Sequence, residues 1–206
     1  MAEHPILFKP ELVRAILDGK KTETRRIAKQ IHDGNEYCVT TPCGNCADSD
    51  MCSDAPYFGM ELCPYGKVGD LLWVRETWCE VEDYELDYEQ NITREYKVAM
   101  YKANYLKNGG TAPKLKWKPS IHMPKKYCRL RLEITDIGVE RIQDITNPSI
   151  EAEGIVPNLE QINRMNGDYS QARRVAWIEL WDKINAKRGF PWADSPWVWV
   201  IKFKVV

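Results

Sequence analysis

The chain has 206 residues, 44% of them hydrophobic and including eight Trp and ten Tyr, ample for a packed core in one domain. A formal net charge of −1 excludes a global electrostatic drive towards nucleic acid or anionic membrane, so any such drive must be local. No apolar run could cross a bilayer and residues 1–9 lack the apolar core of a signal peptide, which predicts a cytoplasmic setting, no membrane partner, and reduced thiols at all seven cysteines.

The first predicted element is a helix over Pro10–Asp18. Proline opens it, Leu12, Val13, Ile16 and Leu17 form its apolar face, and Gly19 supplies a left-handed exit. The run that follows, Gly19-Lys20-Lys21-Thr22-Glu23-Thr24-Arg25-Arg26, gathers four cations where the helix ends. Like charge and partial desolvation both disfavour the ammonium form, so a lysine here is expected to give up its proton more readily. In a regular strand Lys21 and Thr24 point to opposite sides, so a site shared by both requires a bend or bulge.

Residues 31–62 lack periodicity and read as an insertion. They contain Cys38, Cys43, Cys46 and Cys52 in the spacing C-x4-C-x2-C-x5-C, which suits four thiolates around a structural zinc, with Cys63 as a substitute outer ligand. The alternative is four free thiols. Catalytic zinc is not expected, because no His or carboxylate cluster accompanies the cysteines, and catalysis is expected to need no cofactor.

Leu71–Cys79 reads as a strand carrying Arg75 and Glu76 on opposite faces, with Trp78 on the side of Glu76. Trp78 is a candidate to stack on a base, although a core position is the commoner fate of such a residue. A second insertion spans about 80–115. Its first part is acidic (Glu80, Glu82, Asp83, Glu85, Asp87, Glu89 and Glu95 against Arg94), whereas 114–131 is purely basic. Lys114, Lys116, Lys118, Lys125 and Lys126, interleaved with Trp117 and Tyr127, are the mixture that contacts phosphates and stacks bases, or a solvated loop. His122 lies in the same proline-bounded loop, placed to donate to a phosphate or to be held structurally.

Tyr127–Ile137 is the next predicted strand. Asn147-Pro148 starts a short helix that Gly154 closes, and Ser170–Lys187 is a longer helix with Trp177, Leu180, Trp181 and Ile184 on one face. Trp197–Val205 alternates as a final strand. Strands and helices in this order predict an α+β fold, a mixed β-barrel with flanking helices.

Several segments together resemble the ASCH family, whose small β-barrel is related to the PUA domain. They are Pro5–Pro10, Gly19–Arg26, Cys63–Asp70, Leu72–Trp78, Trp117–Pro124, Glu151–Ile155, Leu180–Asn185 and Pro196–Val200. Their order and spacing are similar to the larger members often encoded by bacteriophages and prophages. The resemblance covers nearly all of the chain outside roughly 31–62 and 80–115, and implies one PUA-like domain over 1–206 with those two insertions. It also implies an RNA- or DNA-associated role. Some small members hydrolyse the acetyl amide of N4-acetylcytidine with a lysine, a threonine and a glutamate, and the matching positions are Lys21, Thr24 and Glu153. The implied activity is therefore an amidohydrolase acting on a modified nucleoside, with Arg26, Arg75, Glu76, Trp78 and His122 as substrate-binding candidates. The alternatives are a non-catalytic RNA- or DNA-binding module and a nuclease.

Overall fold

The computed structural model describes residues 1–28, 63–86 and 92–206, excepting the side chains of 84–86, 92–95 and 107–109. The class is mixed α+β. Strands β1 (Glu3–Leu7), β2 (Glu23–Ile27), β3 (Leu71–Arg75), β6 (Arg131–Arg141) and β7 (Trp197–Val205) form one sheet in the order β1-β3-β6-β7-β2. Strands β4 (Trp78–Leu86) and β5 (Ile92–Tyr101) form a separate antiparallel ribbon. The helices are α1 (Pro10–Leu17), α2 (Asn147–Ala152), α3 (Leu159–Arg164) and α4 (Tyr169–Asn185). None of the described helices is long and apolar enough to cross a membrane.

Helix α1 begins at its proline and ends at Gly19, which has φ 70°. Its buried face is Val13, Ala15 and Ile16, while Leu17 is turned out to solvent. Helix α2 is capped by the Thr146 hydroxyl, which accepts from the Ser149 amide, and Gly154 leaves it at φ 76°. Helix α3, which no strong periodicity announces, is started by a reciprocal capping box between Asn158 and Gln161.

Strand β7 contributes to both hydrophobic cores. It pairs antiparallel with β6 on one side and β2 on the other. Trp199, Ile201 and Phe203 join a core with Ile6, Leu72 and Leu132, while Val198 faces a second core with Ile150, Trp177 and Trp181. A strand covered on both faces reads as a continuous apolar run, and Val198 to Ile201 are all buried.

Two strand expectations change on folding. The strand expected over Leu71–Cys79 is two elements, because the chain breaks at Glu76 and Thr77 and leaves the main sheet for the ribbon. Glu76 is buried at the break, with its amide donating to Met123 Sδ and its carboxylate taking both Nε and Nη2 of Arg129. The strand expected from Tyr127 starts at Arg131, since Lys125–Tyr127 is a 3-10 turn. A register shift between Ile134 and Asp136 then moves the buried positions from Leu132 and Ile134 to Ile137.

Among the described residues no backbone ladder joins the edge strands β1 and β2, so the sheet is not closed into a barrel there. A side chain spans the gap instead: Arg26 Nη2 donates to the Leu7 carbonyl at 2.7 Å.

Candidate functional site

The site begins where α1 ends. The amides of Lys20 and Lys21 both donate to the Ala15 carbonyl, and Thr22 N then donates to Ala152 O. Lys21 pairs with Glu153 as an isolated antiparallel bridge, so the exits of α1 and α2 lie side by side. Gly154 makes this approach possible. A Cβ there would sit 2.7 Å from Ala15 Cβ and 2.9 Å from Lys21 Cβ. Regular β2 pairing starts only at Glu23, which is the irregularity needed for Lys21 and Thr24 both to be buried.

Lys21 is 1% exposed. Its Nζ lies 2.5 Å from Glu153 Oε2, 2.6 Å from Glu23 O and 3.1 Å from Glu153 O, three acceptors for three ammonium protons. Burial pushes Lys21 below its ordinary value; Glu153 opposes that, and Arg26 and Arg25 add smaller repulsions. Of the like charges in the run, Arg25 and Arg26 do repel Lys21, though less than burial depresses it, while Lys20 is exposed.

Arg25 completes a buried network. Its Nη1 is 3.3 Å from both Glu153 Oε1 and Glu23 Oε2, and its Nε is 2.7 Å from Glu140 Oε1. Burial works against its charge, but Glu153, Glu140 and Glu23 together hold the guanidinium above its ordinary value. Charges this deep are tolerated only because each is paired and hydrogen-bonded.

In front of the network lies a cavity of about 290 Å³. Thr24, Arg25, Arg26 and Glu153 line one side of it, with Phe8, Trp177 and Trp181 among its aromatic walls. Phe8 lies beneath two cations, Lys21 Nζ at 5.5 Å and Arg26 Cζ at 4.9 Å from the ring centre. Thr77 and Ser120 reach the same cavity from the break after β3 and from the proline-bounded loop.

Lys21, Thr24, Arg26 and Glu153 therefore converge. The remaining candidates lie elsewhere. Arg75 Nη2 donates to Ile121 O, and its guanidinium lies 5.3 Å from the Trp73 ring centre. Glu76 is committed to Arg129. Trp78 is buried against Tyr127, with ring centres 5.0 Å apart and Lys118 Nζ over its ring at 4.6 Å. His122 is exposed on the turn Ser120–His122. None of these four lines the cavity.

The basic segment is partly neutralised by acids from other elements. Lys118 pairs with Glu80 at 2.8 Å and Lys125 with Glu3 at 2.5 Å. Hydrogen bonds from Lys118 and Tyr127 bring Glu80 down to about 2. Lys114, Lys116 and Lys126 are exposed and have no ion pair among the described residues. Cys38, Cys43, Cys46 and Cys52 lie outside the described residues; Cys63 is a buried free thiol.

Sequence reasoning placed none of Arg25, Phe8, Trp177 and Arg188 at a ligand cavity, yet all four line it. The signal was present in part, because the family-like segments Pro5–Pro10 and Leu180–Asn185 both contribute lining residues.

Fold and site together define an α+β protein with a cation-rich cavity backed by a buried Lys–Glu–Arg network. No protein-family model matches the chain. No curated protein matches it either. Among solved structures it is similar to a high-resolution crystal structure of an ASCH domain from Lactobacillus crispatus JV V101. That match has 13% identity and a TM-score of 0.42, over 99% of this chain and 79% of that one.

Proposed function

We propose that this is an ASCH-type, PUA-like protein that admits a nucleobase or nucleoside to the cavity and hydrolyses the acyl amide of an N4-acylated cytidine or a related modified base. The observation that carries this reading is the 2.5 Å contact between Lys21 and Glu153, residues 132 positions apart, behind a cavity that Thr24 and Glu153 line. A structural ion pair alone would not require a hydroxyl and an open cavity beside it.

Amide hydrolysis needs a nucleophile, a group to move its proton and donors for the developing oxyanion. Burial favours a neutral Lys21, and the proton it sheds has an acceptor in Glu153 Oε2. In the proposed sequence the Lys21 amine takes the Thr24 hydroxyl proton as Oγ attacks the acyl carbon. The C–N bond then breaks and Glu153 protonates the departing amine. Water then attacks the threonine ester and passes a proton to Glu153, Lys21 returns its proton to the departing Thr24 Oγ, and the carboxylic acid is released. Arg26, which lines the cavity as Arg75 does not, is the oxyanion donor.

The test is incubation with N4-acetylcytidine, followed by chromatography for cytidine and acetate. Thr24→Val and Lys21→Met are expected to lower turnover by about 100-fold or more. No turnover across several acylated nucleosides would defeat the enzyme reading. A non-catalytic RNA or DNA binder is the second reading, favoured by exposed Lys114, Lys116 and Lys126. It requires binding of labelled RNA or DNA that weakens steeply with salt.

A further inference from the structure

The charges around the cavity do not balance. Five cations, Lys9, Lys21, Arg25, Arg26 and Arg188, stand on it or directly behind it, against three carboxylates, Glu23, Glu140 and Glu153. All three carboxylates are engaged by Lys21 and Arg25. The excess therefore falls on Lys9, Arg26 and Arg188, none of which has an ion pair among the described residues. Their recorded hydrogen bonds go to neutral acceptors: Arg26 Nη2 to Leu7 O at 2.7 Å and Arg188 Nη1 to Asn185 Oδ1 at 2.9 Å. Lys183 adds a further positive charge that repels Lys9 while Glu11 attracts it, and Arg188 repels Arg26 while Tyr65 and Glu153 attract it, so that six cations still face four carboxylates.

Two donors on this cavity are also unused. Arg26 Nε and Trp177 Nε1 are buried without a hydrogen-bond partner among the described residues, and both residues line the cavity. A buried donor left unpaired is costly, and a ligand rich in acceptors removes that cost. Unpaired cations and unused donors on one cavity, with no free carboxylate among its lining residues, select an anionic ligand bearing several acceptor oxygens.

We propose that the cavity takes its nucleoside as a phosphate ester, with the phosphate at Arg188 and Lys9, the acyl group at Arg26 and Thr24, and the sugar and base against the aromatic walls. This rests on the nucleoside reading above and narrows it. At about 290 Å³ the cavity lies at the small end of ligand sites, enough for a single nucleotide unit and too small to enclose a polymer.

The test is calorimetric titration in a Thr24→Val background, which suppresses turnover. The ligands are N4-acetylcytidine, its 5′-monophosphate, its 3′-monophosphate and inorganic phosphate. One of the monophosphates is expected to bind at least 10-fold more tightly than the nucleoside at low salt, and raising the salt should shrink that ratio. Adding Lys9→Gln and Arg188→Gln together should bring the ratio to within about twofold; unchanged circular dichroism and melting establish that the variant is folded. Equal binding of nucleoside and monophosphates in the parent overturns the phosphate site and leaves the nucleoside reading standing. An advantage that survives both substitutions overturns the assignment to these cations. Binding of inorganic phosphate without either nucleoside form keeps an anion site but sinks the nucleotide proposal and the nucleoside reading with it, and no binding of any ligand sinks all three.

Discussion

The Lys21 ammonium occupies a position where charge is costly and where its hydrogen-bonding capacity is nevertheless met in full by one carboxylate oxygen and two carbonyls. This arrangement gives a signed dependence on pH. The folded protein holds Lys21 below its ordinary 10.5 because burial outweighs Glu153. Between the depressed folded value and 10.5 the unfolded chain keeps a proton that the folded protein has lost, so the unfolded state binds more protons and stability rises with pH in that window. Below it both states are protonated and the unfavourable contribution is constant. Lys21→Met should remove this rise, as measured by urea unfolding across the alkaline range. It should also remove the ascending limb of kcat/KM, which in the parent falls below 10.5. Glu153 keeps Arg25 at 3.3 Å in this variant, so the destabilisation is expected to stay below the ~3–5 kcal/mol of an uncompensated buried charge. A pH profile unchanged by the substitution would dismiss Lys21 as the titrating group.

At the scale of elements, the meeting of two helix exits builds the site. The α1 exit carries Lys21, the α2 exit carries Glu153, and Gly154 lets them touch. Gly154→Ala would place a methyl group against Ala15 and Lys21 in a left-handed conformation that non-glycine residues avoid. The expected cost is about 2–4 kcal/mol from backbone strain and overpacking together. For a chain of this size that is a fall of roughly 5–12 °C in Tm, read by differential scanning calorimetry. Gly19→Ala, where nothing lies within 4 Å of a Cβ, should pay only the conformational part. These exits were legible in the sequence because Pro10, Gly19, the Asn147-Pro148 start and Gly154 are local signals. The break at Glu76 was not, since its cause is a partner, Arg129, 53 residues away. Nor was the β4–β5 ribbon, whose acidic first strand presents no apolar face to a sequence reading. The burial of Lys21 was hidden for the same reason: in a run of lysines and arginines, the one taken into the core is chosen by a glutamate 132 residues on. The zinc expected at Cys38, Cys43, Cys46 and Cys52 rests on spacing alone.

At the scale of the whole molecule, the order β1-β3-β6-β7-β2 sends the functional strand to one edge and makes the chain's last strand its neighbour. Thr24, Arg25 and Arg26 are in register with Ile201, Val200 and Trp199, so the site's geometry is fixed by residues nearly 180 positions away in sequence. Ile201 also pairs with Ile137 of β6 and is fully buried in the main core. Truncating it should therefore act on both stability and site. Ile201→Ala is expected to cost about 2–5 kcal/mol, the range for a large aliphatic side chain removed from a packed core. The corresponding fall in Tm is roughly 5–15 °C. Val205→Ala, at an exposed position of the same strand, should stay within about 0.5 kcal/mol. The informative comparison is ligand affinity per folded molecule, measured well below the melting transition. Because Ile201 supports Thr24 from the neighbouring strand, its truncation should weaken binding or turnover as well as lower Tm, while Val205→Ala should change neither. A cavity whose affinity is unmoved by Ile201→Ala would mean that β2 is held by Arg26, Lys21 and the helix exits alone, independently of the sheet.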